Sequence, residues 1–87
     1  MQLDELRLKI DTLDEQLLQL LNERAKVALQ IGELKKSQNL PLYHPKRESS
    51  VLENVLSSNQ GPLSSEHIQL VFSDIIKICK QIQLFRG

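Results

Sequence analysis

The feature that most constrains the fold is an apolar seam along the first part of the chain. Its members recur alternately every four and three residues, and residues 3–37 contain no proline and a single glycine. The members are Leu6, Ile10, Leu13, Leu17, Leu20, Arg24, Val27, Ile31 and Leu34. This period is typical of the buried face of a helix. The sequence therefore predicts one uninterrupted helix over residues 3–37.

A helix of this length is too long for a compact monomer of 87 residues. At about 1.5 Å per residue it would extend roughly 50 Å, whereas the monomer would have a diameter of about 30 Å. The far end of the helix needs apolar cover, and the simplest source is the long helix of an identical chain. We therefore expect a homodimer. The alternative is a monomer whose helix bends near Gly32, since glycine is a poor helix former.

The rest of the chain predicts two shorter helices. Pro45 suits a first helical position with His44 as the N-cap, so a second helix is expected over residues 45–57. Ser64 is expected to cap a third helix over residues 64–85. The predicted apolar faces are Val51, Leu52, Val55 and Leu56 on the second helix, and Ile68, Val71, Phe72, Ile75, Cys79 and Ile82 on the third, widened by Ile76 and Ile78. No segment alternates with the period of a strand, so the fold class is all-α with three helices.

Composition narrows the function classes. We expect one domain over residues 1–87, because the chain is long enough for one modest core. A formal net charge of +0 and 3% aromatic residues argue against a nucleic-acid surface. The single cysteine excludes an internal disulfide and a cysteine-based zinc site, and we expect no metal or cofactor. Without a signal peptide or an apolar run of about 18 residues, the sequence predicts a cytoplasmic protein and no membrane partner.

Arg24 is the one charged member of the apolar seam. An unpaired guanidinium inside a core costs several kcal/mol, so an anion should meet it. Lys35 follows eleven residues later on the same helix face, about 16 Å away, and the pair could enclose a small polyanion. Arg7 is about 25 Å from Arg24, so only a partner chain could deliver it to the same pocket. The alternative is a salt bridge from Arg24 to Glu23 or Glu33 of a partner chain.

Other polar residues fall near the predicted helix faces. Arg47 and Glu48 open the second helix, where backbone amides attract anions. Gln83 follows Cys79 by four residues and shares its side of the third helix. Arg7, Lys35 and Arg47 could each instead be a solvated surface charge, and Gln83 a satisfied interface residue. The sequence has no serine–histidine–aspartate elbow, no glycine-rich phosphate loop and no distinct carboxylate pair, which gives acid–base or covalent catalysis little support.

Two stretches of this chain resemble a known family. They are LRLKIDTLDEQLLQLLNERAKVALQIGELK and PLYHPKRESSVLENVL, and together with the third helix they cover nearly the whole sequence. Both are similar to the all-helical chorismate mutases, which occur as free enzymes and as N-terminal domains fused to prephenate dehydratase. The resemblance implies an intertwined homodimer with two active sites built from both chains. It also implies conversion of chorismate to prephenate in phenylalanine and tyrosine biosynthesis.

The resemblance also assigns the residues that hold the substrate. The family's two carboxylate-binding arginines match Arg7, contributed by the partner chain, and Arg24. The lysine that contacts the ether oxygen and a carboxylate matches Lys35. The ether-contacting glutamine matches Gln83. The resemblance thus implies that Arg24, Lys35 and Gln83 are catalytic.

Four further positions complete the implied substrate site. The family's arginine–glutamate pair matches Arg47 and Glu48, where the glutamate accepts a hydrogen bond from the ring hydroxyl. His44 stands where the family often has aspartate, and Cys79 where it often has serine. A thiol donates only weakly, so a carboxylate contact at Cys79 departs from the family pattern.

The family's reaction fits a site without a catalytic acid or base. It is an intramolecular rearrangement that needs a folded conformer and stabilisation of negative charge on the ether oxygen. Two other functions stay open. One is a lyase on the same scaffold that removes pyruvate from isochorismate, and the other is a non-catalytic helical dimerisation module.

Overall fold

The computed structural model describes residues 2–86, which form three helices and no strand. Helix α1 spans Gln2–Ser37, α2 spans Pro45–Ser58 and α3 spans Ser65–Arg86. The bounds expected from the sequence differ from these by at most one residue. The prediction of an all-α fold with a very long first helix is confirmed. No described helix is both long and apolar enough to cross a membrane.

Side-chain caps fix the starts of α2 and α3. The backbone N–H of Arg47 donates to His44 Nδ1 at 3.0 Å, so His44 is the N-cap of α2 as predicted. The backbone N–H of His67 donates to Ser64 Oγ at 3.2 Å in the equivalent position of α3. Each cap satisfies a backbone donor that the first helical turn leaves without a partner.

The end of α1 is set by Asn39, whose φ of 56° lies in the left-handed region. The Asn39 N–H donates to the Lys36 carbonyl at 3.2 Å, and the Leu40 N–H donates to the Lys35 carbonyl at 2.8 Å. These two bonds form a Schellman motif, which satisfies the last carbonyls of a helix. Helix α1 therefore ends shortly after Lys35, and the chain changes direction there.

Helix α3 packs against both α1 and α2. On α1 the buried residues of this contact are Ala28 and Gly32. A Cβ atom at Gly32 would lie 3.1 Å from Gln83 Cγ, which is too close for ordinary packing. Ile76 and Cys79 are the buried residues of α3. Small residues on α1 thus allow the two helices to approach closely.

The apolar seam is not the face of α1 that packs within one chain, so its burial against a partner chain stays a prediction. Its eight apolar members are each between 45% and 62% exposed. The face toward α3 is rotated from the apolar members of the seam. It consists of half-buried Arg24, which also belongs to the seam, buried Ala28 and Gly32, and half-buried Lys35. On α3, Val71 and Ile78 are also exposed in one chain.

The molecule is elongated because α1 extends well past α3. Its principal extents are 57 × 25 × 16 Å, and its radius of gyration is 16.0 Å, whereas a compact chain of this length has about 12 Å. Helix α1 runs through Gly32 without interruption. The alternative of a helix bent there into a compact monomer is therefore wrong.

Candidate active site

A cavity of about 240 Å³ lies between the three helices and the loop before α2. Its apolar wall includes Val27, Ile31 and Val51. Its polar lining consists of Arg24, Lys35, His44, Arg47, Glu48, Cys79, Lys80 and Gln83. Seven of the eight residues singled out from the sequence therefore line one cavity.

The cavity is strongly cationic. Among the side chains that the structure describes, four positive ones line it, and Glu48 is the one carboxylate. The four cations are Arg24, Lys35, Arg47 and Lys80, and each helix contributes at least one. Charge of one sign on low-dielectric walls concentrates the field and attracts the opposite charge. The cavity therefore suits a small polyanion. Among residues 2–86, no cluster of His, Cys, Asp or Glu could hold a metal ion.

Arg24 contacts α3 through its guanidinium. Its Nη1 donates to Cys79 Sγ at 3.1 Å. Cys79 therefore accepts a hydrogen bond here, and it is buried. A guanidinium has five N–H donors, so most of the Arg24 donors remain for an anion in the cavity. The guanidinium is thus held in place without being neutralised.

Gln83 and Lys35 bring donors from α3 and α1 to the same cavity. Gln83 Nε2 donates to the Ala28 carbonyl at 2.7 Å, which leaves its second N–H for a ligand. Lys35 Nζ donates to the Leu42 carbonyl at 3.4 Å, a long bond that uses one of three ammonium donors. Both side chains are half-buried. Both are therefore anchored and still have donors to offer.

The start of α2 supplies three more side chains. His44 uses Nδ1 as the cap acceptor, so its neutral ring carries the proton on Nε2. Arg47 is exposed, and its Nη1 donates to Ser50 Oγ at 3.4 Å. Glu48 is half-buried. The turn that begins α2 thus places an imidazole, a guanidinium and a carboxylate at one rim of the cavity.

The sequence interpretation missed Lys80. Its Nζ lies 3.1 Å from Glu48 Oε2, which joins α3 to α2. The same ammonium lies 4.9 Å from the centre of the Tyr43 ring. The sequence contained one indication that Lys80 lies at the site. Lys80 precedes Gln83 by three residues and therefore lies on the same side of α3.

Arg7 is the predicted site residue that one chain does not bring to the cavity. It is exposed on the first third of α1, 17 residues before Arg24. At 1.5 Å per residue this separation is about 25 Å along the helix axis. Within one chain, Arg7 therefore cannot share a small ligand with Arg24.

The fold and the cavity define a small three-helix protein with a cationic site. The family model described as "Chorismate mutase type II" matches residues 6–84. The chain belongs to the chorismate mutase type II family, which confirms the resemblance noted in the sequence.

Relatives of known name support the same assignment. The bifunctional chorismate mutase/prephenate dehydratase of Aquifex aeolicus (strain VF5) is 41% identical over 86 residues, which cover 94% of this chain and 24% of that protein. The chain spans about a quarter of the length of the bifunctional relatives it matches. The chorismate mutase of Methanocaldococcus jannaschii is 29% identical, covering 93% of this chain and 83% of that protein.

Solved structures share the fold over nearly the whole chain. Form II of the chorismate mutase from Thermus thermophilus has a TM-score of 0.94 and 32% identity, covering 95% of this chain and 94% of that one. The Helicobacter pylori chorismate mutase in complex with prephenate has a TM-score of 0.85 and 34% identity, covering 93% and 88%. The three-helix arrangement described above is therefore the fold of these enzymes.

Proposed function

We propose that this chain is a chorismate mutase, an isomerase that rearranges chorismate to prephenate. The observation that carries the proposal is the cavity shared by Arg24, Lys35, Glu48 and Gln83 in a chain of this family. Chorismate is a dianion with an ether oxygen and a ring hydroxyl. A cationic cavity with one carboxylate offers a matching group for each of these features.

The reaction requires little chemistry from the protein. In one intramolecular step the ether C–O bond breaks and a C–C bond forms, and no proton or nucleophile is exchanged. Catalysis then consists of holding the enolpyruvyl group over the ring and stabilising negative charge that grows on the ether oxygen. A site made of cations and an amide suits this task.

The carboxylates are assigned to arginines. Arg24, held by Cys79, binds one carboxylate through its remaining donors. The other carboxylate is assigned to Arg7 of the partner subunit, because Arg7 and Arg24 of the same chain lie about 25 Å apart. Together the two guanidinium groups fix the folded conformer.

Lys35 and Gln83 are assigned to the ether oxygen. The Lys35 ammonium interacts more strongly with the transition state than with the ground state, because charge grows on this oxygen as the bond breaks. Gln83 donates its second N–H to the same oxygen while the first stays on Ala28. Its orientation is therefore set before substrate arrives.

The start of α2 is assigned to the rest of the substrate. Glu48 accepts a hydrogen bond from the ring hydroxyl, and Arg47 adds positive charge near a carboxylate. His44 offers Nε2–H at the rim, since Nδ1 is used by the cap. Cys79 acts through Arg24 as its hydrogen-bond acceptor.

We also propose that the active protein is an intertwined homodimer of this domain, residues 1–87. The support is the seam, whose eight apolar members are 45% to 62% exposed in one chain. Large exposed apolar stripes of this kind mark interaction surfaces. A second copy would cover the seam and deliver Arg7. Family membership further suggests a cytoplasmic enzyme of phenylalanine and tyrosine biosynthesis.

The direct test is incubation of the 87-residue chain with chorismate while chorismate loss and prephenate formation are followed. Prephenate should accumulate as chorismate disappears. Incubation with isochorismate in parallel tests the lyase function, which would release salicylate. If neither substrate is consumed, the chain is a dimerisation module. In that case Arg24→Leu should raise Tm and no dicarboxylate should do so.

A further inference from the structure

We propose that Lys80 is a positioning residue that holds the Glu48 carboxylate for the substrate hydroxyl. The inference rests on the proposed function and adds to it a residue that was not assigned a role there. Lys80 lines the same cavity as Glu48 but lies on a different helix. Its role is therefore to connect α3 with the start of α2.

The geometry of Lys80 is fixed from two sides. Its Nζ lies 3.1 Å from Glu48 Oε2 and 4.9 Å from the Tyr43 ring centre. A cation within about 6 Å of an aromatic ring centre is attracted by the ring. The Lys80 and Glu48 side chains are 38% and 28% exposed, so both are partly shielded from water. The ammonium is thus held between a carboxylate and a ring.

The pair also determines which Glu48 oxygen is available. A carboxylate accepts hydrogen bonds at both oxygens. Lys80 contacts Oε2, so Oε1 is the oxygen that keeps both of its acceptor sites for the ring hydroxyl of the substrate. Lys80 therefore selects one orientation of the Glu48 side chain before the substrate binds.

Charge gives Lys80 a second effect on binding. Glu48 is the one carboxylate that lines the cavity within residues 2–86, and the substrate brings two more negative charges. Without Lys80, the Glu48 carboxylate would repel the substrate and would attract Arg24 or Lys35, which line the same cavity. Pairing with Lys80 keeps those cations available for the substrate. The effect is on binding in both the ground state and the transition state.

The test compares Lys80→Met, Lys80→Arg, Glu48→Gln and the double variant Glu48→Gln/Lys80→Met. Lys80→Met should raise KM for chorismate about tenfold with a smaller change in kcat, because uniform binding is lost. Lys80→Arg keeps the charge and should stay within about threefold of wild type. In the Glu48→Gln background, Lys80→Met should add less than about twofold, because no carboxylate remains to position.

Lys77→Met is the matched control, because Lys77 is exposed on α3 and does not line the site cavity. It should leave KM and kcat unchanged. The Tm of Lys80→Met should stay close to that of wild type. Loss of a merely structural ion pair would instead lower Tm. If Lys80→Met does not fold, Lys80→Gln takes its place in the cycle with the same expectations.

The outcomes separate this inference from the proposed function. Absence of chorismate turnover by the unsubstituted chain would refute both. Turnover by wild type together with an unchanged KM in Lys80→Met would refute the role of Lys80 alone. Effects of Lys80→Met and Glu48→Gln that multiply in the double variant would refute it as well, because the two residues would then act independently.

Discussion

The side-chain amide of Gln83 donates to the backbone carbonyl of Ala28 at 2.7 Å, which ties α3 to α1 beside the cavity. Gly32 makes this bond possible, because a Cβ there would lie 3.1 Å from Gln83 Cγ and 3.4 Å from Gln83 Cβ. The Gln83 side chain fills the space that a methyl group would take. The orientation of the amide therefore depends on the absence of a side chain at Gly32.

We predict that Gly32→Ala lowers kcat while changing the thermal stability of the protein only slightly. Alanine raises helix stability by about 0.5–1 kcal/mol relative to glycine. This gain offsets part of the free-energy cost of the close contact with Gln83. The displaced amide, however, would no longer meet the ether oxygen. Steady-state kinetics should show a fall in kcat, while thermal unfolding should show a small shift of Tm.

Gln83→Ala provides the control background for this prediction. With the amide removed, Gly32→Ala should cause no further loss of kcat. An equal fall of kcat in both backgrounds would show that Gly32 acts on the site by another route.

Lys35→Ala should abolish most of the rate enhancement while the protein stays folded. Loss of a donor to a developing oxyanion typically costs about 3 to 4 kcal/mol, or roughly 10² to 10³ in rate. Lys26→Ala is the control, because Lys26 is exposed on the same helix and does not line the cavity. Wild-type turnover of chorismate by Lys35→Ala would exclude its assignment to the ether oxygen.

Substitutions in the apolar seam should dissociate the dimer. Leu13 and Leu17 are 57% and 54% exposed in one chain, so covering the rest of each would contribute about half of the roughly 1.5–3 kcal/mol that full burial of a leucine contributes. Leu13→Glu/Leu17→Glu should therefore sediment as a monomer and lose turnover. Asn22→Glu adds negative charge on the opposite side of α1 and should remain dimeric. A wild-type chain that sediments as a monomer with full turnover would contradict the proposed dimer.

Local chemistry explains why the helices were predictable from the sequence. Helix bounds follow from nearby signals, such as the apolar period of α1, the His44 cap and the Ser64 cap. The joint placement of Arg24 and Lys35 was predictable for the same reason, because eleven residues return nearly to the same helix face. These features need no knowledge of the tertiary packing.

The features that could not be predicted from the sequence depend on contacts between helices. The apolar seam is the most regular feature of α1, yet the face with Ala28 and Gly32 meets α3, because small residues permit the closer approach. The Lys80–Glu48 pair likewise depends on how α2 and α3 are placed relative to each other. Neither relationship is encoded in a local pattern of residue types.

In the proposed dimer, each active site combines Arg7 of one chain with Arg24 and Lys35 of the other. Mixing Arg7→Ala and Arg24→Ala subunits after joint unfolding and refolding tests it directly. Each variant alone should be nearly inactive. In a mixed dimer one of the two sites would regain every wild-type residue, so the mixture should recover about a quarter of wild-type turnover. No recovery, with mixed dimers demonstrated by sedimentation of differently tagged chains, would contradict a site shared between subunits.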